Sequence, residues 1–202
     1  MINVLIFPAG TEIGREIYLS LRYEKNVNLV LAGADYDSHA RHYTSEYHIV
    51  PDVTHCDWLP TLQALVLQEN INYIFPAHDE ALLALSENRD ALSATVLCPS
   101  QETCQITRFK SKTYQALTQS IPTPQIFNDV TEIEQWPVFV KPDRGQGAQG
   151  ATRVDTPAML ASLQAERDDL IVCEYLSGEE FTVDCFSDRA QGLLFCQPRI
   201  RS

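Results

Sequence analysis

The chain has 202 residues, 45% of them apolar and 21% charged, the proportions of a globular protein with length for one or two domains and ample material for a core. Fifteen Lys and Arg stand against 27 Asp and Glu, a net charge of −12, which excludes nucleic-acid or anionic-membrane binding through a general basic surface. Met1-Ile2-Asn3-Val4-Leu5-Ile6-Phe7 lacks the basic flank and length of a signal segment, and no apolar run reaches membrane-spanning length. A cytoplasmic protein is the expectation. The six cysteines (56, 98, 104, 173, 185 and 196) form no C-x-x-C pair and no zinc spacing. Several sit in apolar runs such as Ile171-Val172-Cys173 and Leu194-Phe195-Cys196, so reduced, buried thiols are expected.

The first half alternates strand and helix. Val4–Phe7 is a continuous apolar run, as a parallel strand covered on both faces requires. Residues 12–22 place Ile13, Ile17, Tyr18 and Leu21 on one helical face. Asn28–Ala32, His48–Val50 and Tyr73–Phe75 read as further strands. Between the last two, Leu62, Leu65 and Val66 line a helix opened by Asp57 and Pro60, and Asp79 caps another that carries Leu82, Leu83 and Leu85. The βαβ succession implies a doubly wound parallel sheet.

Three turns in this half invite a site. Pro8-Ala9-Gly10-Thr11-Glu12-Ile13-Gly14 is a partial dinucleotide fingerprint without the full G-x-G-x-x-G, and Glu12 would repel a pyrophosphate; a packing turn is the better reading. Asp35 to His42 contains an H-x-x-H, but spacing supplies no third strong ligand for a metal. Pro76-Ala77-His78-Asp79-Glu80 lies at the carboxyl end of a strand, where open α/β sheets place ligands; Asp79 is as readily a helix cap.

In the second half, helical signals run over 103–109 and 113–117 until Ile121-Pro122-Thr123-Pro124 stops them. Val138–Val140 is an apolar strand that delivers Lys141 to a loop with glycines at 145, 147 and 150. Glycines let successive N–H groups turn toward one anion, and a lysine adds a mobile charge that reaches a phosphate. The lysine precedes the glycines and no Gly-Lys-Ser/Thr follows, so this is not the P-loop; by itself it could equally be a glycine-rich hairpin. A helix capped by Thr156 with Pro157 at its first position buries Met159, Leu160 and Leu163. Asp169–Cys173 reads as a strand. Phe181, Val183 and Cys185 alternate with Thr182, Asp184 and Phe186 in another, with Gly192–Gln197 as its hairpin partner.

Taken in order, the lysine-bearing helix Phe109-Lys110-Ser111-Lys112-Thr113, the Ile121-Pro122-Thr123-Pro124 stop, the Val140-Lys141-Pro142 strand end with its glycines, and Glu174-Tyr175-Leu176-Ser177-Gly178-Glu179-Glu180-Phe181-Thr182-Val183-Asp184 closely resemble the ATP-grasp ligases. The nearest likeness is to the branch around carbamoyl-phosphate synthase and the amino-acid ligases. The resemblance implies an α/β fold: a Rossmann-like preATP-grasp parallel sheet with helices on both faces over residues 1–105, then an incomplete α+β ATP-grasp domain over residues 106–202. It implies ATP contacts from Lys110 and Lys141 on phosphate oxygens, and a closing lid made of Gly145, Gln146, Gly147 and Gly150. Glu174, Tyr175 and Leu176 would form the adenine hinge. Glu180 would accept from the ribose hydroxyls, with Glu179 one residue away as the alternative. Asp79 and Glu80 match a turn that faces the acceptor substrate.

Pro198-Arg199-Ile200-Arg201 resembles a strand of the family whose arginine, here Arg199, works beside the carboxylate or phosphoryl group. The acidic Mg²⁺ ligands and the asparagine that follow in the complete domain have no counterpart in the 202 residues. The resemblance therefore implies the ATP-binding portion of a carbon–nitrogen ligase that joins a small carboxylate or amino acid to an amine or ammonia through an acyl phosphate. By itself this portion is expected to be inactive. A bicarbonate-using carboxylase relative and a non-catalytic ATP-binding or partner-holding module are the competing readings, and apolar edges of the incomplete lobe would allow a homodimer.

Overall fold

A computed structural model describes residues 1–145, 147–188 and 190–200. The polypeptide divides into two compact units, Met1–Leu117 and Thr118–Ser202, each with its own sheet.

The first unit runs β1 (Ile2–Phe7), α1 (Glu12–Leu21), β2 (Val27–Gly33), β3 (Tyr47–Ile49), α2 (Trp58–Gln68), β4 (Tyr73–Pro76), α3 (Asp79–Glu87), β5 (Thr95–Val96), α4 (Gln101–Arg108) and α5 (Lys110–Leu117). The five strands are parallel, in the order β3-β2-β1-β4-β5. The continuous apolar character of β1 and β2 has a direct packing cause. Leu5, Phe7, Val30 and Ala32 point into one core with Trp58, Leu62 and Val66 of α2 and Leu85 of α3. The intervening Ile6 and Leu31 point into a second core against Ile17 and Tyr18 of α1. Each large apolar side chain withdrawn from water in this way stabilises the fold by roughly 1.5–3 kcal/mol. The sheet is therefore covered by helices on both faces.

Details depart from the sequence pattern. Ile13 is 52% exposed, and the one fully buried residue of α1 is Gly14. A β-carbon on Gly14 would lie 2.6 Å from the carbonyl oxygen of Ala9, so the strand-to-helix turn closes only with glycine there. Thr11 caps α1 by accepting from the Gly14 N–H at 2.9 Å and donates to the Ala77 carbonyl at 2.7 Å, tying the β1 turn to the end of β4. β5, two residues long, carries too little pattern to be read from sequence.

The second unit contains β6 (Ile126–Phe127), β7 (Val138–Pro142), β8 (Thr152–Val154), α6 (Pro157–Glu166) and β9 (Leu170–Glu174), forming an antiparallel sheet in the order β6-β9-β7-β8. Val138, Val140, Val154 and Val172 make one face and pack under Leu160 of α6. Thr156 caps α6 as expected and Leu163 is partly buried, but Met159 is 40% exposed because it lies on the outer side of the helix. β10 (Phe181–Asp188) and β11 (Gly192–Ile200) form a separate antiparallel hairpin. Of the cysteines, Cys104 and Cys173 are buried, whereas Cys56, Cys185 and Cys196 are exposed; the apolar run around Cys196 belongs to the hairpin and not to a core. Among the described residues no helix is long and apolar enough to cross a membrane.

Gly14→Ala should destabilise the protein by about 2 kcal/mol or more, because its methyl group meets backbone that cannot yield without shifting β1. Chemical denaturation of the two proteins, with unchanged m-value, checks this.

Candidate nucleotide-binding site

Strand alternation in the second unit makes two faces with different chemistry. While the valines of β7 enter the core, Phe139 and Lys141 emerge on the opposite face. Register then aligns Phe139 with Arg153 of β8 and Cys173 of β9, and Lys141 with Ile171. The Lys141 ammonium lies 5.8 Å from the centre of the Phe139 ring. Tyr175 continues the row, its ring 6.4 Å from that of Phe139 and 5.2 Å from the Arg153 guanidinium. Burial pushes the Cys173 thiol up, against the opposing charge of Lys141.

Beyond Lys141, Gly147, Ala148 and Gly150 hold φ of +63°, +57° and +72°. This left-handed stretch turns the chain back toward β8, and 147–150 are exposed. A β-carbon on Gly150 would lie 2.9 Å from the Arg167 side chain and 3.1 Å from Pro142. Arg167, at the end of α6, is itself clamped by Asp169 through bonds of 2.8 and 2.7 Å, and that pairing holds its proton more tightly than usual. Lys141 at one end of the loop and Arg167 at the other give the glycine turn two cations. Gly145 lies within this loop, and Gln146 lies outside the described residues.

At the other end of β7, a groove of about 650 Å³ opens beside the hinge, lined among others by Glu132, Trp136, Arg153, Glu174 and Tyr175. Its carboxylates suit amino donors and oppose phosphate, the reverse of the Lys141 end. Glu174 already accepts from the Gln125 N–H through Oε2 at 3.3 Å and donates its own N–H to Gln125 O at 2.9 Å, which leaves its second carboxylate oxygen as a side-chain acceptor. Leu176 and Glu180 are exposed.

On the hairpin, Phe181, Val183, Cys185, Cys196, Pro198 and Ile200 share one face, and Thr182, Asp184, Gln197 and Arg199 share the other. Arg199 Nε donates to Asp184 Oδ2 at 2.9 Å. The direction of Asp184 is thereby decided: it holds the arginine.

In the first unit, β1, β2, β3 and β4 bring their carboxyl ends to a small cavity of about 110 Å³ bordered by Pro8, Thr11, Ala34, Asp52 and His78, the crevice expected beside the point where a parallel sheet reverses order. Hydrogen bonds from the Thr54 backbone and hydroxyl hold the Asp52 carboxyl below its usual range. The cap of α3 is His78, whose Nδ1 accepts from the Glu80 N–H at 3.3 Å; Asp79 is the first helical residue. Glu80 accepts from Arg108 of α4, whose Nε lies at 3.1 Å, and Asp79 stands 3.8 Å from the same guanidinium. The side chain of Arg108 is only 9% exposed. Both carboxylates of the turn therefore serve to hold α4 against α3. Lys110 opens α5 in this unit, and Lys141 belongs to the other.

The H-x-x-H pair is not brought to a metal cluster. His39 packs on Tyr43 at 5.4 Å, and Asp35 pairs with Arg41 at 2.6 Å. Among the described residues the one grouping of three potential ligand atoms is His55, Cys56 and Asp57, all exposed. That mixture of nitrogen, sulfur and oxygen does not fit the all-oxygen preference of Mg²⁺.

Sequence reasoning missed Phe139, Arg153, Arg167 and Cys173. The first and last were legible in principle from strand alternation once the register was known; Arg167 reaches the loop only through the return of α6.

The first unit is a parallel α/β sheet, and the sheet of the second presents a lysine at the entry to a glycine loop. Residues 108–202 match the family model described as the ATP-grasp domain. No curated protein matches the chain in sequence. Its fold is similar to that of N5-carboxyaminoimidazole ribonucleotide synthetase from Thermotoga maritima (TM-score 0.70, 16% identity, over 96% of this chain and 51% of that protein). It is similar also to L-amino acid ligase from Bacillus licheniformis (0.69, 16%, 100% and 51%). A third is the biotin carboxylase domain of Hydrogenobacter thermophilus 2-oxoglutarate carboxylase in complex with MgADP, ADP and bicarbonate (0.70, 16%, 93% and 47%). The chain spans about half the length of these proteins.

Arg108→Ala should lower stability by about 2–4 kcal/mol, since it removes the buried guanidinium that both Glu80 and Asp79 face; thermal unfolding measures this. Amides of 147–150 should exchange rapidly in the ligand-free protein and slow on addition of a non-hydrolysable ATP analogue, as hydrogen exchange resolved by peptide will register.

Proposed function

We propose that this chain supplies the ATP-binding part of a carboxylate–amine or carboxylate–ammonia ligase that works through an acyl phosphate. The observation that carries the reading is the change of chemistry along β7: Tyr175 and the acid-lined groove at one end, Lys141 and the glycine loop at the other. From the residue opposite Tyr175 to Lys141 is four strand steps, about 13 Å, a length along which an extended nucleotide places its base and its terminal phosphates.

In this reading Tyr175 and Leu176 cover the adenine, Glu174 accepts from its amino group, and Glu180 takes the ribose hydroxyls. Lys110 and Lys141 hold phosphate oxygens, and the backbone of Gly145, Gln146, Gly147 and Gly150 closes over them. A carboxylate oxygen attacks the γ-phosphorus, ADP departs with the bridging oxygen, and the amine then displaces phosphate from the acyl carbon. Preorganised cations stabilise the charge that develops on the transferred group, and closure keeps water from the acyl phosphate. Arg199, steadied by Asp184, faces the carboxylate or phosphoryl group. Asp79 and Glu80 border the acceptor through the ion pair they make with Arg108. Mg²⁺ would neutralise the triphosphate when bound, with carboxylates supplied from outside the described residues. Residues 1–105 form the preATP-grasp domain in this reading and 106–202 the ATP-grasp portion.

The bicarbonate bound to the Hydrogenobacter domain favours a second reading, in which bicarbonate is the activated acid; the nucleotide contacts are the same in both.

Lys141→Ala should weaken ATP binding by about tenfold to a hundredfold, the loss of a charge-assisted phosphate contact, and leave adenosine affinity nearly unchanged. Calorimetric titration with both ligands tests this. Equal losses for the two would remove Lys141 from the phosphate site.

A further inference from the structure

The hairpin carries two thiols that the nucleotide site does not use. Cys185 and Cys196 are direct partners in the β10–β11 register. Their Sγ atoms are 3.9 Å apart and both residues are exposed. Residues directly opposite in an antiparallel pair have Cα separations of about 4.5 or 5.5 Å, and both values fall inside the roughly 4.4–6.8 Å range that a disulfide spans. Bond formation therefore requires only side-chain rotation.

We propose that Cys185 and Cys196 are a modification site, a dithiol that a small-molecule disulfide oxidises to a cross-strand link. One cysteine thiolate attacks the small disulfide, forming a mixed disulfide and releasing one small thiolate. The second cysteine then attacks the protein sulfur of that adduct, closes the protein disulfide and releases the second small thiolate. The two protein protons end on the two small thiols, and the two electrons lost by the cysteines reduce the reagent. The neighbouring thiol is already in place, so ring closure outruns any competing intermolecular step. Cys185 is held above its usual range first by its hydrogen bond to Cys196 and further by the charge of Asp184, itself paired with Arg199. The reaction accordingly quickens as pH rises.

The position gives the link a consequence. A register shift falls between Phe186 and Ser187, one pair beyond the cysteines. A slip of one residue would exchange the two faces of the hairpin, taking Asp184 and Arg199 off their shared side. The disulfide pins a regular pair close to the irregularity and so fixes the arrangement that holds Arg199.

The test needs neither ATP nor turnover, so it stands or falls apart from the ligase reading. The 202-residue protein is treated with glutathione disulfide, quenched in acid and mapped by peptide mass. The expected product is a peptide pair joined through Cys185 and Cys196, two hydrogens lighter than the reduced pair. Exposed Cys56, with no cysteine opposite it, serves as the control and retains its mixed disulfide. Cys196→Ser should convert Cys185 from a transient to a stable mixed disulfide. In the oxidised wild type, amide exchange across 185–196 should slow about tenfold or more. Stable adducts on both cysteines, links to another copy of the chain, or a pair that stays reduced while Cys56 reacts would each overturn the proposal.

Discussion

The arrangement of the second unit depends on the side-chain alternation of β7. Val138 and Val140 enter the core beneath Leu160, which forces Phe139 and Lys141 to the opposite face. A one-residue slip would drive the lysine ammonium among valines, where an unpaired charge costs several kcal/mol. The apolar core thus sets the direction of the lysine at the entry to the glycine loop, and β8 and β9 carry that choice outward to Arg153, Cys173 and Tyr175.

The two units solve the problem of presenting polar groups differently. The parallel sheet of the first is buried on both sides, so polar chemistry can appear only at its strand ends. There Thr11, Asp52, His78, Asp79 and Glu80 gather, and much of their hydrogen-bonding capacity goes into holding turns and helices: Thr11 caps α1, His78 caps α3, and both carboxylates meet Arg108. The sheet of the second unit has a helix on one side, so its other side can display a row of functional side chains along the strands. The hairpin uses the same alternation on a smaller scale, separating an apolar face with two cysteines from a polar face with Asp184 and Arg199.

Ion pairs recur where this architecture must hold a cation in place. Arg108, Arg167 and Arg199 are each clamped by an aspartate or glutamate. The acidic excess of the sequence is thus partly spent on orienting its few arginines. In isolation exposed pairs such as those of Arg167 and Arg199 stabilise the fold little; beside a glycine loop or on a strand face, their effect is to restrict where the guanidinium points.

Much of this was legible in the residues themselves. The double-sided burial of β1 and β2 follows from their unbroken apolar runs, the cap of α6 from Thr156, and the amphipathic hairpin from strict alternation through Phe181–Phe186. The ordered motifs around Lys110, Lys141 and Glu174 pointed to the ATP-grasp superfamily that the family model matches over residues 108–202. Local pattern failed where a contact comes from a distant segment. Ile13 stays in solvent because Gly14 is what fits against Ala9; His78, not Asp79, caps α3; and Cys196 sits on an open hairpin despite its apolar neighbours. The sequence alone determined which residues prefer strand, helix, turn and core, because those preferences are properties of short segments. Only the tertiary structure decided that Arg167 borders the loop, that Arg108 binds the α3 carboxylates and that two cysteines face each other across a hairpin, because each of these depends on strand register and helix packing between residues far apart in the chain.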